Sequence, residues 1–397
     1  MSAAEMNTED HIRKLAMAVL DSFDIARTEP AEVYGAWFDA GLSWVHFPKT
    51  RGGLGAPRSL QAVADDVLLE AGIGLPRLAN KIAYGIAAPT LVTYGSPELL
   101  DRILRPLATG EEIWCQLFSE PGAGSDLASL ATLATPVDGG WKVSGRKVWN
   151  SKAHLARWGV LIARTDPSVP KHKGLTYFVV DMHAAGVEVS PLRQMTGEAE
   201  FNEVVLDEVF IPDVQRLGEI GAGWKVANTT LANERASMGN RHGGGSSPTP
   251  LGDALDLWAS MPERHTAVRR DQLAQIWMRA EAHRLNCERL IAKAAVAGPG
   301  SEGSVIKLIG AELNQLTYEW CAEFLGPDAT LYGSYDDPGQ QDGLPSAIMR
   351  RFLRSRANTI EGGTAEVLRN IIAERILGLP QDERIDLKLP WRDVRRS

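Results

Sequence analysis

The stretch FSEPGAGSDLASL, Phe118–Leu130, sits near a change of texture in the chain, and the residues on either side of it decide the fold. Before it the pattern is helical. His11–Phe23 and Ser59–Ala71 carry apolar residues at three- and four-residue spacing, broken by loops such as RGGLGAP at Arg51–Pro57. After it, from about Trp141, the apolar period becomes two in WKVSGRKVW, WGVLIAR, LTYFVVDM, VEVSPL and FNEVVLDEVFIP, runs separated by Gly, Pro and Asp turns. Beyond GEIGAGW the helical pattern returns, apart from a Gly/Pro/Asp-rich loop at Gly326–Leu344. Helix, antiparallel sheet, then helix predicts an α+β chain of three stacked units with boundaries 1–115, 116–219 and 220–397.

A length of 397 residues agrees with roughly two or three folding units. With 44% hydrophobic and 23% charged residues, the chain has enough apolar material for large cores, which excludes a mostly disordered protein. The net charge is −8 and the basic residues are dispersed, so no nucleic-acid partner is expected. Cys115, Cys287 and Cys321 are far apart and show no metal-binding spacing, which points to core thiols of a reduced compartment and no metal site. The opening MSAAEMNTEDHIRKLAMAVL places Glu5, Glu9 and Asp10 before any apolar run, unlike a signal or transit peptide. No stretch approaches the ~20 apolar residues of a membrane span. A cytoplasmic protein without membrane attachment is expected.

Four segments carry chemistry. In Phe118–Leu130 the small residues Gly122, Ala123, Gly124 and Ser125 let backbone N–H groups approach a phosphate-bearing ligand. It is not a dinucleotide-binding GxGxxG, since Leu127 stands at the third glycine position. By itself it reads equally as a tight loop entering the sheet. In KVWNSKAH, Lys147–His154, an extended backbone puts Trp149 and Ser151 on one face, a pair suited to covering a planar ring and bonding its edge. Trp149 alone reads as a core residue. In the helix from Trp224, the residues Ala227, Leu231, Glu234 and Met238 form one stripe, with Asn233 and Arg235 flanking Glu234. A carboxylate on an apolar face titrates higher, toward the range of a general base, unless a buried Arg satisfies it. In ANTIEGGTAEVLRNIIAERILGLP, Ala357–Pro380, Gly362 and Gly363 lead into Thr364, the N-cap of an amphipathic helix whose start offers donors to an anionic group.

In this order and on these textures, the four segments resemble the acyl-CoA dehydrogenase family from about Ala31 to Pro380. The resemblance implies a helical N-terminal domain, a central β-barrel-like domain and a C-terminal four-helix bundle, with FAD at their junction and against a neighbouring subunit. It implies that Gln116, Phe118, Ser119, Gly124 and Ser125 line the flavin, Ser125 also lying near the CoA thioester. Trp149 would sit against the isoalloxazine and Ser151 would hydrogen-bond the ring near its hydride-accepting nitrogen. Thr364 and Glu366 would touch the nucleotide part, while Arg235, Gly362 and Gly363 would face the substrate. Asp207, in LDEV, matches a position that helps dock an electron-transfer flavoprotein. The implied reaction is α,β-dehydrogenation of an acyl-CoA to the trans-2-enoyl-CoA, by a homodimer, a homotetramer or a heteromer with a related subunit.

The base has two candidate positions. Most of the family places it directly before Gly-Thr; here that position is Gly362, and Glu361 comes one residue early. A branch resembling isovaleryl- and long-chain-acyl-CoA dehydrogenases uses a Leu-x-x-Glu-Arg motif instead, which Leu231–Arg235 supplies, favouring Glu234 over Glu361. Two segments depart from the family pattern. NRHGGGSSPTP stands where an Arg-x-Phe-Gly segment grips the neighbouring subunit's FAD, and EFLGPDATLYG replaces a Gly-Gly-x-Gly loop. The latter replacement is familiar in an actinobacterial branch that acts on bulky steroid or branched acyl-CoAs. A flavin-dependent monooxygenase on the same fold and a non-catalytic partner subunit remain alternatives.

Overall fold

The computed structural model describes residues 8–239, 249–297, 300–333, 343–381 and 383–394, without some side chains among them, including those of 235–239. By contact the chain divides into two compact units. The first comprises Met1–Pro191, Phe201–Asn233 and Arg384–Ser397; the second comprises Leu192–Glu200 and Glu234–Glu383.

The first unit opens with helices α1 (Glu9–Leu20), α2 (Pro30–Asp39), α3 (Gln61–Glu70), α4 (Pro76–Ala79), α5 (Ala88–Tyr94) and α6 (Pro97–Thr109). Their ends are written in the sequence. The Thr8 hydroxyl accepts from the His11 N–H at the start of α1, and the Ser96 hydroxyl accepts from the Leu99 N–H at the start of α6. Gly110 closes α6 at φ +78°, a left-handed conformation that glycine adopts without strain. Helix α6 buries Leu99, Ile103, Leu104 and Leu107 on one face. Those residues belong to a core that also holds Trp44, Tyr84, Trp114, Trp158 and Tyr177. Helices and sheet therefore share one core, and for this reason the first two textures of the sequence fold into one contact unit.

The sheet comprises β1 (Trp114–Leu117), β2 (Leu133–Val137), β3 (Gly140–Ser151), β4 (Trp158–Arg164), β5 (Leu175–Asp181), β6 (Val187–Leu192), β7 (Phe201–Pro212) and β8 (Arg216–Leu217). Its order is β6-β7-β3-β2-β4-β5-β8, with β1 paired in parallel to β4. Strand β4 is buried along its whole length. Val160 and Ile162 enter the core shared with the helices, whereas Leu161 and Ala163 enter a second core with Val143, Phe178 and Val204. A strand covered on both faces reads as a continuous apolar run, as WGVLIAR does. The register of β3 against β7 shifts twice, between Val143 and Gly145 and between Lys147 and Asn150.

Helix α7 (Gly223–Gly239) contains the division between the units, which falls after Asn233. In the second unit α8 (Pro250–Ser260), α9 (Ala267–Ala297), α11 (Leu344–Ser355) and α12 (Ala365–Arg375) each pack against α10 (Gly303–Leu325). Leu257, Ile276, Cys321, Phe324 and Ile348 form the core of that unit. Asp253 is buried there and accepts from the Tyr318 hydroxyl at 2.7 Å and from Arg351 at 2.5 Å. No described helix is long and apolar enough to cross a membrane.

Candidate functional site

In the first unit, the Gly-rich loop is held from below by a buried ion pair. Lys147 is 0% exposed, and its ammonium donates to Phe118 O at 3.0 Å, Ile162 O at 2.9 Å and the Glu120 carboxylate at 2.9 Å. Glu120 also accepts from the backbone N–H groups of Ala131 (2.6 Å) and Thr132 (2.9 Å). Burial pushes the Glu120 carboxyl up, but the ammonium and these N–H donors outweigh it and hold the group below the usual glutamate value. Sequence reasoning missed this pair, although a signal was present: Lys147 shares the inward parity of Trp141 and Val143 on β3.

Hydrogen bonds draw the loop and the end of β3 together. The Val148 N–H donates to Ser119 O at 2.9 Å, and the Asn150 amide donates to Gln116 O at 2.7 Å. Glu120 and Ala123 exchange backbone hydrogen bonds that close the turn. Phe118 is buried, its ring edge-on to Tyr177, so it would meet a ligand only through its backbone. The N–H groups of Gly122, Gly124 and Ser125 find no acceptor among the described residues. A Cβ added at Gly122 or Gly124 would meet nothing within 4 Å, so both glycines border open space.

Trp149 departs from the extended geometry expected of it. Its φ is +61°, it lies within the second register shift of β3, and the period-two argument that put it on one face with Ser151 does not hold there. The ring is 61% exposed and stands edge-on to Phe201 at 6.0 Å. A bulky aromatic in left-handed backbone is strained, and this one also keeps an apolar face in solvent, two features found together at functional positions. Ser151 lies two residues on, and the Val148 N–H bond to Ser119 O brings Ser119 beside this strand end; neither hydroxyl finds a partner among the described residues. An apolar face, nearby hydroxyls and unpaired N–H groups are what a flavin with its phosphates requires, so this set fits FAD.

The first unit also contains a cavity of about 660 Å³ whose lining includes Tyr94, His172, Lys173, Trp224, Lys225 and Asn233. His172 stands edge-on to Trp224 at 4.9 Å, and burial with the neighbouring Lys171 keeps its imidazole below the usual histidine value. No local pattern in the sequence marks this cavity, because its lining comes from a helix end, a strand-connecting loop and α7.

The second unit holds both candidate bases. The Glu361 carboxylate accepts from Arg354 at 2.7 and 3.3 Å and from the Asn358 amide at 2.8 Å. Glu234 is half-buried near the end of α7, while Leu231, one turn earlier, packs against a core. The Lys307 amine feels both carboxylates; burial lowers its pKa and they counteract part of that shift. Lys307 donates to Asn358 O at 2.8 Å and to Gly363 O at 2.7 Å, tying the glycine turn to α10. Gly362 and Gly363 have φ +64° and +99°, and their N–H groups find no acceptor among the described residues. Thr364 caps α12 by accepting from the Val367 N–H at 3.2 Å, and Glu366 is exposed in its first turn. The Arg235 side chain and most of NRHGGGSSPTP lie outside the described residues. Asp207 is exposed on β7.

Comparison with known proteins covers nearly the whole chain. It matches the family models described as the acyl-CoA dehydrogenase N-terminal domain over residues 4–111, the middle domain over 115–209 and the C-terminal domain over 221–377. It is 43% identical over 345 residues to the acyl-CoA dehydrogenase FadE34 of Mycobacterium tuberculosis, a match that covers 86% of this chain but 45% of that protein. It is 34% identical over 348 residues to the acyl-CoA dehydrogenase IpdE1 of the same organism, covering 87% of this chain and 86% of that one. Among solved structures, the Tcur3481-Tcur3483 steroid ACAD superposes with a TM-score of 0.72 at 26% identity, over 96% of this chain and 100% of that chain. The ChsE4-ChsE5 complex from Mycobacterium tuberculosis gives 0.69 at 26% identity, over 94% and 98%.

Proposed function

Because this chain belongs to the acyl-CoA dehydrogenase family, whose members bind FAD, we propose that it dehydrogenates an acyl-CoA thioester at its α and β carbons, with Glu234 as the base. The observation that carries this reading is the exposed, strained Trp149 ring together with the unpaired N–H groups of Gly122, Gly124 and Ser125. When bound, FAD supplies the acceptor for the β-hydrogen and its electron pair.

The remaining steps belong to this chain. Trp149 would cover the flavin ring, Ser119 and Ser151 would hydrogen-bond its edge, and the loop N–H groups would face the phosphates or the thioester. Thr364 and Glu366 serve the nucleotide end. A Glu234 carboxylate oxygen takes the α-proton as the α C–H bond breaks, and the freed pair forms the new double bond. Charge developing on the thioester oxygen meets a backbone N–H near Gly362, and Arg235 and Gly363 complete the substrate side. Glu361 is the weaker candidate because Glu234 stands in the Leu-x-x-Glu-Arg register, while Arg354 and Asn358 hold Glu361 in the structure of its own segment. Asp207 offers an exposed acid for an electron-transfer flavoprotein that removes the electrons.

A partner-subunit role has one observation in its favour: two of the similar structures, the Tcur3481-Tcur3483 steroid ACAD and the ChsE4-ChsE5 complex, each pair two different proteins. The test is an anaerobic visible spectrum of the purified protein during titration with a panel of CoA thioesters. Bleaching of the flavin band by one thioester is the expected result. A yellow protein that none of them bleaches would overturn the dehydrogenase reading. A colourless protein that turns yellow only with a second chain would establish the partner role.

A further inference from the structure

The residues 384–394 return to the first unit and close over the far end of the Gly-rich loop. The Trp391 indole N–H donates to Ser129 O at 3.1 Å, and its backbone N–H donates to Val169 O at 2.9 Å. Its ring covers the Arg164 guanidinium at 4.2 Å. Arg164 is fully buried and donates to Ala128 O at 2.7 Å and Leu130 O at 3.1 Å. Lys171, 4% exposed, pairs with Asp386 at 2.6 Å and with Asp126 at 2.7 Å. Asp126 is the last residue of EPGAGSD. One buried ammonium thus joins the C-terminal segment to the loop, and one indole joins the same two elements five residues further along the segment and three further along the loop.

We infer that this segment is a strap that positions the Gly-rich loop. Lys171, Asp386 and Trp391 act through Asp126 and Ser129 to hold the N–H groups of Gly122, Gly124 and Ser125 ready for a ligand. A loop with two glycines that border open space has large conformational freedom, and ordering it only on binding weakens affinity. Fixing its far end at two points removes part of that penalty beforehand. The inference rests on the reading above that this loop holds the cofactor.

The test uses the full chain with Asp386→Asn, which keeps the size of the side chain and removes its charge, and Trp391→Phe, which keeps a ring over Arg164 and removes the donor to Ser129. Hydrogen exchange is measured without cofactor, and FAD affinity is measured by flavin fluorescence. Expected are amide exchange roughly tenfold faster over residues 121–130, with β4 and β5 unchanged, and an FAD Kd about 5- to 20-fold weaker. Asp386→Glu should restore both. Unchanged exchange over the loop overturns the strap, as does acceleration spread equally through β4 and β5, which would make the segment a cover for Arg164 alone. Faster loop exchange with unchanged FAD affinity overturns the positioning role. Wild-type protein that takes up no FAD would remove the cofactor reading, while the exchange data would still decide whether the strap orders the loop.

Discussion

Arg354 holds Glu361 by two N–H···O contacts of 2.7 and 3.3 Å, and the Asn358 amide adds a third at 2.8 Å. These contacts give each of the two carboxylate oxygens a donor and tie Glu361 to α11 and the turn before it. Because Glu234, not Glu361, stands in the Leu-x-x-Glu-Arg register, the two glutamates should respond differently to the same substitution.

Glu234→Gln is expected to keep folded, yellow protein and to lower kcat by about 10²- to 10⁴-fold, the usual contribution of a general base. Glu361→Gln should leave turnover within about tenfold. It should destabilise the second unit by about 1 kcal/mol, because the pair is 31% and 39% exposed and solvent screens it. Steady-state kinetics and urea unfolding of both variants decide the matter. A larger kcat loss in the Glu361 variant would reverse the assignment.

The Lys147–Glu120 pair should behave as a structural post under the loop. Removing one partner leaves the other charge buried and unpaired, so Lys147→Met and Glu120→Gln are each expected to destabilise by about 3–5 kcal/mol. The double variant should recover part of the loss, since it leaves no lone charge. Glu120 titrates below its usual value of 4.5 in the folded chain. Its contribution to stability is therefore complete above about pH 4.5 and is lost as pH falls through the folded value. Chemical denaturation between pH 3 and 7 would reveal this, and equal pH slopes in wild type and Glu120→Gln would contradict it.

Trp149 should separate stability from binding. A tryptophan at φ +61° with 61% of its surface exposed contributes little packing and carries backbone strain of about 1 kcal/mol or more. Trp149→Gly relieves that strain, so the cofactor-free protein should melt no lower than wild type. FAD affinity should fall by about tenfold, the worth of one aromatic stacking contact. Thermal melts and flavin titration test the two halves separately. A lower melting point with unchanged affinity would make Trp149 a packing residue.

Much of this was legible in the sequence. The switch from three- and four-residue spacing to period two marks the sheet, and Thr364 announces a helix start that the structure contains. The chemistry-bearing loop was visible because glycine and serine crowd into EPGAGSD. What sequence could not reveal lay in long-range pairing. Lys171 meets Asp386 across more than two hundred residues, and no local pattern predicts that. Period-two reasoning also failed at Trp149, because a register shift resets the alternation and leaves no mark of its own in the residues.

His46 gives the chain an acid sensitivity that differs from the carboxylate effect. Its Nδ1 is buried with no partner among the described residues, and its ring stands edge-on to Phe47 at 4.8 Å. Burial, with Arg58 adding repulsion, lowers its pKa to about 4 from 6.5. The unfolded chain therefore binds this proton first, and folding stability falls as pH drops from 6.5 toward 4. From those two values the loss reaches about 2 kcal/mol at pH 5, an upper figure because the ring is only partly buried. Glu120 loses its contribution only below about pH 4.5. His172, the other imidazole held below its usual value, contributes alike to wild type and a His46 variant, so the difference between the two proteins from pH 6.5 to 5 isolates His46. His46→Gln cannot take up the proton and should show a flatter stability curve there, even if it is less stable at pH 7. Urea unfolding at half-unit pH steps provides the comparison, and parallel curves for the two proteins would show that His46 titrates normally.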